Sequence, residues 1–372
     1  MPVVTGGPDV IVLGGGIVGL STARGLAGEG ARVLLVERTG VGEEASGAAA
    51  GMLLAQADAD PASPLLETAL LARARHAALA GELEEETGLA VERSRHGVLE
   101  IAFTDAEEEA LRRRAGWQRA RGWRVEEWTG EGIRKAEPSL NPAVLSGVFY
   151  ADDGSVDNVR LVRALAASAE ARGVSLLCGG AASLVVARGR VAGVSVGAER
   201  FAAPMVVNAT GAWAGLLPGD PQPPPVEPVR GHISAFDLAP GLLRHVVCSR
   251  RGYVVPRAGG RLLAGSTVER AGFDKSVTPG ALAAVRAIAR EIAPILAAAP
   301  VAASWAGLRP GTPDGLPVVG MGSVPGLVHA AGLFRNGILL GPLLGEAAAR
   351  LALGRDPGID LSLFAPSRFV TG

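Results

Sequence analysis

The run Gly14-Gly15-Gly16-Ile17-Val18-Gly19 spells G-x-G-x-x-G, and its setting limits what this chain can become. The residues before it, Asp9-Val10-Ile11-Val12-Leu13, form the short apolar stretch of a buried parallel strand. After it the pattern predicts a helix over 17–29 and a second strand over 32–36 that ends at Glu37. Each glycine of such a unit has its own physical reason. Gly14 permits the tight turn, Gly16 lets a pyrophosphate approach the N–H groups at the helix N-terminus, and Gly19 lets the helix pack on the strand. Glu37 stands 18 residues past Gly19. A carboxylate there accepts hydrogen bonds from ribose hydroxyls and repels a 2′-phosphate. These residues predict a dinucleotide site for FAD or NAD, and not for NADP.

Composition closes off other classes. The net charge of −1, from 36 basic and 37 acidic residues, lacks the basic excess of a nucleic-acid-binding protein. Hydrophobic residues make up 48%, yet apolar stretches such as 11–20 are short and rich in glycine. They fall below the ~18 consecutive apolar residues of a membrane span, so no membrane partner is expected. The basic residues comprise 34 arginines and only Lys135 and Lys275. Neither lysine follows a glycine, which removes a Walker A loop. Cys178 and Cys248 form no C-x-x-C pair, and His76, His96, His232, His245 and His329 are scattered, so neither a disulfide framework nor a metal is expected. Gly193-Val194-Ser195-Val196-Gly197 spells the hydrolase elbow, but it sits in an alternating run with no helix after it and reads as strand. The opening Met1-Pro2-Val3-Val4 lacks a signal-peptide pattern, and a cytoplasmic location is the expectation.

The length of 372 residues suits two packed domains. Helices are expected over 64–86, 105–121, 159–172 and 336–353, with Glu108–Arg112 and Glu109–Arg113 pairs on the second. Strands are expected over 205–207 and 327–330, and a hairpin over 184–196. The segment 217–228 holds six prolines in twelve residues and reads as a stiff crossing, not a strand. Beyond it, 229–236, 253–256 and 262–266 read as antiparallel sheet. The expected fold class is α/β in two domains: a Rossmann-like dinucleotide domain interleaved with an antiparallel-sheet substrate domain. The first takes residues 1–80, 146–228 and 310–372, and the second 81–145 and 229–309. A second glycine-bearing segment, Asn208-Ala209-Thr210-Gly211-Ala212-Trp213, returns the chain to the dinucleotide domain and favours FAD over NAD.

Further motifs follow in order: Ser46-Gly47-Ala48-Ala49-Ala50-Gly51-Met52, Val229-Arg230-Gly231, Tyr253-Val254-Val255-Pro256-Arg257, the run from Trp305 to Gly315, and Gly332-Leu333-Phe334-Arg335-Asn336-Gly337-Ile338. In these the chain resembles the FAD-dependent D-amino-acid oxidase family, most of all its glycine oxidase branch, over nearly its whole length. The resemblance implies that Arg309 clamps a substrate carboxylate through two parallel donors, that Tyr253 touches the same carboxylate, and that Arg335 is a second substrate-side arginine. It implies cofactor contacts from Gly14, Gly16, Ile17, Val18, Gly19, Glu37 and Arg38. Ser46, Gly47, Gly51, Met52, Ala182, Thr210, Gly211 and Trp213 join them, as do Gly332, Phe334, Arg335, Asn336, Gly337 and Ile338.

The implied chemistry is hydride transfer from Cα to FAD, giving a keto acid (glyoxylate from glycine), ammonia and hydrogen peroxide with O2 as acceptor. The substrate is a small amino acid or amine. A carboxylate-binding arginine and a desolvated pocket suffice to lower the amine pKa, so no acid–base side chain is assigned. The stretch ending Thr312-Pro313-Asp314 has no cysteine, with Gly307 near the place where monomeric sarcosine oxidases bond flavin, so the FAD is expected to be noncovalent. The resemblance also implies a role in forming the thiazole of thiamine, and a homo-oligomer, specifically a homotetramer. A sarcosine or N-methyl amino acid oxidase and a quinone-linked D-amino acid dehydrogenase are the alternatives. A non-catalytic flavin-binding module would leave Tyr253, Arg309 and Arg335 without purpose. Arg251 and Val268 stand near Tyr253 where relatives carry other residues, and are expected to alter the pocket.

Overall fold

In the computed structural model, which describes residues 7–370, the apolar runs of the sequence meet in one six-stranded sheet. Its order is Val318–Met321, Leu327–Ala331, Met205–Asn208, Val10–Leu13, Val33–Glu37, Ser175–Cys178. Neighbours are parallel except the outer Val318–Met321, which runs antiparallel to Leu327–Ala331. Both faces are covered, which is why these strands read as continuous apolar runs. Val10, Val12 and Leu35 face a helical layer of Ile17–Gly28, Leu66–Thr87, Asn158–Ala171 and Gly337–Ala352. Ile11, Leu13 and Val36 face the antiparallel strands Ala182–Ala187, Arg190–Val196 and Glu199–Ala202. The hydrolase-like Gly193–Gly197 motif thus lies in a strand that turns into another strand.

Glycines set how closely the first and last of these helices approach. A Cβ on Gly341 would lie 2.7 Å from the Ile17 side chain, and one on Gly345 would lie 2.7 Å from Ser21. The Thr22 hydroxyl donates to the Gly345 carbonyl at 3.0 Å. The contacts advance together along both helices, so the helices run parallel and their N-termini open at the same end of the sheet.

The closing helix carries Pro342, which has no N–H to offer the Ile338 carbonyl one turn earlier. His76 fills that vacancy, with Nε2 at 2.8 Å from Ile338 O and 3.1 Å from Leu339 O. Burial pushes the imidazole down to about 4. The unfolded chain takes up this proton near the ordinary histidine value of 6.5, the folded protein only near 4, so stability falls as pH drops through that window. The loss from this residue is at most about 3 kcal/mol. His76→Gln, which keeps a donor of similar reach, is expected to flatten the dependence. Denaturant unfolding between pH 7 and 4 checks it, and equal slopes for both proteins would refute the assignment.

The second sheet has eight strands in the order Val301–Gly311, Glu227–Asp237, Arg261–Gly265, Gly252–Pro256, Val246–Ser249, Val98–Ala102, Ser146–Tyr150, Glu126–Thr129. Three expectations change here. Ser146–Tyr150 pairs with Val98–Ala102 and Glu126–Thr129, so a boundary at 146 falls one strand early. Helix Leu66–Thr87 runs through the expected boundary at 80. Strand Glu227–Asp237 begins inside the proline-rich crossing, with Pro228 opposite Pro310. Arg230, two residues on, directs its N–H to Glu269 O, away from Val301–Gly311. Pro228 therefore lacks an N–H on the side where the neighbouring strand has not yet joined, which is where proline is tolerated. The Glu108–Arg112 pair forms at 3.2 Å, and Glu109 pairs with Arg113, both at the surface.

Candidate active site

The glycine turn after Val10–Leu13 is as tight as its sequence requires. Gly14 has φ +105°, and a Cβ there would overlap the Ala209 carbonyl; a Cβ on Gly19 would overlap the Gly14 carbonyl. Helix Ile17–Gly28 starts on Gly16 with no side-chain cap and no acidic residue in its first turn. Ser46 Oγ accepts from the Ile17 N–H at 3.0 Å. Glu37 is buried at the end of its strand. Its Oε2 accepts from Gly15 N–H at 2.6 Å and its Oε1 from Thr39 N–H at 2.9 Å. The Thr39 hydroxyl donates to Oε1 as well, at 3.3 Å, which fixes the carboxylate and still leaves it an acceptor position.

Two clefts open at this end of the sheet. One, of about 1060 Å³ counting its mouth, lies between Glu37, Arg38, Ala182, Thr210 and Trp213. The Arg38 guanidinium stacks 3.9 Å from the Trp213 ring centre. The other, of about 1180 Å³, lies between Val18, Met52, Tyr253, Arg309 and Arg335. They share Gly16, Ala45, Ser46, Ala209 and Gly211, and so form one trough. A buried carboxylate at one end, a helix N-terminus with no acidic residue in its first turn in the middle and a wide, mostly apolar chamber at the other fit a flavin dinucleotide.

Polar side chains interrupt the apolar lining of the chamber. Arg309 lies in strand Val301–Gly311, where Gly231 of the neighbouring strand makes room: a Cβ on Gly231 would overlap the guanidinium. Arg309 Nη1 donates to Thr267 O at 3.1 Å and Nη2 to Ser266 Oγ at 2.7 Å. The Tyr253 hydroxyl shares Ser266 and adjoins Arg309. Burial pushes the Tyr253 phenol up and, with Arg335 nearby, lowers Arg309, which stays a cation all the same. Arg335 stands at the chamber mouth after Phe334, a residue with φ 45°.

Asp58, which the sequence did not single out, also lines the chamber. Crowding by protein raises its carboxyl, with Arg335 and Arg114 opposing. Its approach is held by Asp153, which accepts from the Gln56 and Ala57 N–H groups at 2.9 and 2.8 Å, and by Arg114, which donates to Ala57 O at 2.6 Å.

Most of the expected site residues converge. Gly14, Glu37, Arg38, Ala182, Thr210 and Trp213 line the first cleft, and Gly16, Ser46 and Gly211 line both. Ile17, Val18, Gly51, Met52, Phe334, Asn336, Gly337 and Ile338 line the chamber with Tyr253, Arg309 and Arg335. Gly19, Gly47 and Gly332 line neither. They sit behind the wall, where a Cβ would meet Gly14 O, Gly42 O and the Thr312 methyl respectively. Arg251 and Val268 depart from expectation. Arg251 pairs with Glu291 at 2.7 Å on the surface, Val268 is exposed, and neither lines the chamber. Neither cysteine lines either cleft.

Residues 9–351 match the profile of the family described as FAD dependent oxidoreductase, DAO. A glycine oxidase of Geobacillus kaustophilus is 36% identical over 368 residues, which cover 97% of each chain. The bifunctional protein ThiO/ThiG of Synechocystis sp. is 33% identical over 370 residues, covering 98% of this chain and 54% of that one. The crystal structure of the Geobacillus kaustophilus glycine oxidase superimposes with a TM-score of 0.91 at 35% identity, over 98% of this chain and 99% of that one.

Proposed function

The chain belongs to the DAO family of FAD-dependent oxidoreductases, and we propose that it is a glycine oxidase-like enzyme that deaminates glycine and other small amines or D-amino acids. The observation that carries this reading is the placement of Arg309. Ser266 and Thr267 each take one N–H from its two terminal nitrogens, which leaves a second N–H on each for a carboxylate. Tyr253 adds a hydroxyl on the same side. A substrate held there has its carboxylate fixed and its Cα directed into the apolar part of the chamber. The cation and the exclusion of water both favour a neutral amine, so no side chain is assigned as base. FAD, held along the trough by Glu37 and the turn at Gly14–Gly19, would supply the two-electron acceptor for the hydride lost from Cα, with O2 as the final acceptor. Arg335 and Asp58 at the mouth place opposite charges beside each other where a small zwitterion enters. Balanced with water and O2, the products are a keto acid, glyoxylate from glycine, with ammonia and hydrogen peroxide.

A peroxide assay over glycine, sarcosine and D-alanine tests this. Peroxide with glycine or D-alanine is the expected result, and sarcosine alone would favour the N-methyl amino acid oxidase reading. Dye reduction without peroxide would favour the quinone-linked dehydrogenase. The FAD is taken to be noncovalent, supported by the absence of Cys178 and Cys248 from the lining of the trough and by Gly307, where a Cβ would lie 2.6 Å from Ala48 Cβ. Acid precipitation is therefore expected to leave the yellow colour in the supernatant, and colour in the pellet would refute it. The likeness to ThiO/ThiG supports a role in supplying the imine of glycine for thiazole formation. Rescue of a thiamine auxotroph lacking that step checks it. We extend the same reading to a cytoplasmic homotetramer, which light scattering of the purified protein and cell fractionation test.

A further inference from the structure

The carbonyl oxygens along the chamber wall are drawn outward. Asn158 Nδ2 donates to Ser46 O at 2.7 Å and Gly47 O at 3.0 Å, and Trp305 Nε1 donates to Ala48 O at 2.9 Å. Arg257 Nη2 donates to Ala50 O at 2.8 Å, and the Val156 N–H to Gly51 O at 2.8 Å. None of these donors lines the chamber, whereas Ser46, Ala48, Ala49, Ala50 and Gly51 do. In a trans peptide the N–H points opposite to the C=O. The wall therefore turns the N–H edges of Ala49 and Gly51 toward the chamber.

Arg257 stands out among the donors. It ends the Tyr253–Arg257 motif, for which the chemistry above has no use, and its Nη2 also donates to Asn158 Oδ1 at 3.0 Å. A Cβ on Gly51 would lie 2.8 Å from that same Nη2, so the guanidinium sits directly behind the wall. Among the described residues it forms no ion pair. The acids that bear on it, Glu92 and Asp157, lie against Arg160 at 2.9 and 3.9 Å. A cation enclosed without a counter-ion is costly, and that cost falls when negative charge arrives nearby. A flavin gains such charge on reduction.

We propose that Arg257, braced by Asn158, is a positioning residue that raises the reduction potential of bound FAD. The cation and the N–H edges it holds in place favour the reduced cofactor over the oxidised one. This rests on FAD binding alone and is independent of which amine is the substrate. The test is the midpoint potential of the holoenzyme, read by dye-coupled reduction. Arg257→Met is expected to weaken binding of reduced FAD relative to oxidised FAD by about tenfold or more, a fall of about 30 mV for a two-electron couple. Arg257→Lys keeps the charge and is expected to stay within about threefold of wild type, or about 15 mV. Asn158→Asp sets a carboxylate against Arg257 at nearly constant shape and is expected to fall as Arg257→Met does. It decides the matter alone if Arg257→Met fails to fold or to hold FAD. A wild-type midpoint in either folded variant, or a fall in Arg257→Lys equal to that in Arg257→Met, would overturn the proposal and leave Arg257 as a brace of the loop.

Discussion

Arg309→Met is expected to lower kcat/KM for amino acid substrates by roughly 30- to 5,000-fold, about 2–5 kcal/mol of lost stabilisation of the bound carboxylate. Methionine fills the space of the stem but offers no donor, and the chamber has no other cation so placed. Ser266 Oγ and Thr267 O lose their guanidinium partner as well, so the hydroxyl turns toward Tyr253. Arg309→Lys keeps the charge without the two parallel donors, and is expected to fall between the two because a point charge does not fix the direction of Cα. The oxidised FAD spectrum should be unaltered in both variants. That separates a substrate effect from loss of cofactor. An unchanged kcat/KM in Arg309→Met would remove Arg309 from the substrate site.

The second large effect is at the other end of the trough. Glu37→Ala is expected to weaken FAD binding by about 2–4 kcal/mol, roughly 30- to 1,000-fold. Two losses combine. The ribose loses its carboxylate acceptor, and the Gly15 N–H, which Glu37 satisfies at 2.6 Å, is left unpaired in a buried turn, while the Thr39 N–H loses its partner at 2.9 Å nearer the surface. Glu37→Gln is expected to be intermediate, because its amide keeps one acceptor and turns a donor toward a donor. Fluorescence titration of apoprotein with FAD measures both, with circular dichroism to establish that the variants fold. Binding within threefold of wild type in Glu37→Ala would mean that the ribose is held elsewhere.

What could be read in advance followed the range of the interactions. The turn from Gly14 to Gly19 and the carboxylate of Glu37 belong to one strand–helix–strand unit, so their spacing alone carried the meaning. Tyr253, Arg309 and Arg335 were found through motifs, since an isolated arginine among 34 carries no such signal. The residues that aim them were not found. Ser266 and Thr267 reach Arg309 through strand pairing across more than 40 positions. Asp58 is presented by a turn whose N–H groups are gathered by Asp153, about a hundred positions away. Nothing in local pattern announces such a partnership. The error at residue 146 has the same origin: Ser146–Tyr150 has the alternation of any half-buried strand, and only its neighbours decide which sheet it joins. The glycines Gly19, Gly47 and Gly332 belong to motifs expected to hold the cofactor, yet each acts by permitting backbone to touch backbone or side chain behind the wall.

The parallel pairing of Ile17–Gly28 with Gly337–Ala352 joins segments that are made far apart in time. Thr22 bonds to Gly345, 323 positions further on. On the ribosome, the helix Gly337–Ala352 emerges only after that interval, well behind the glycine turn and its strand. Until then the apolar side of Ile17–Gly28 waits without its partner, and closing so long a loop is slow. The nascent chain therefore passes through that interval with this groove open, a stretch of time in which a chaperone has something to cover and FAD has no finished place to bind.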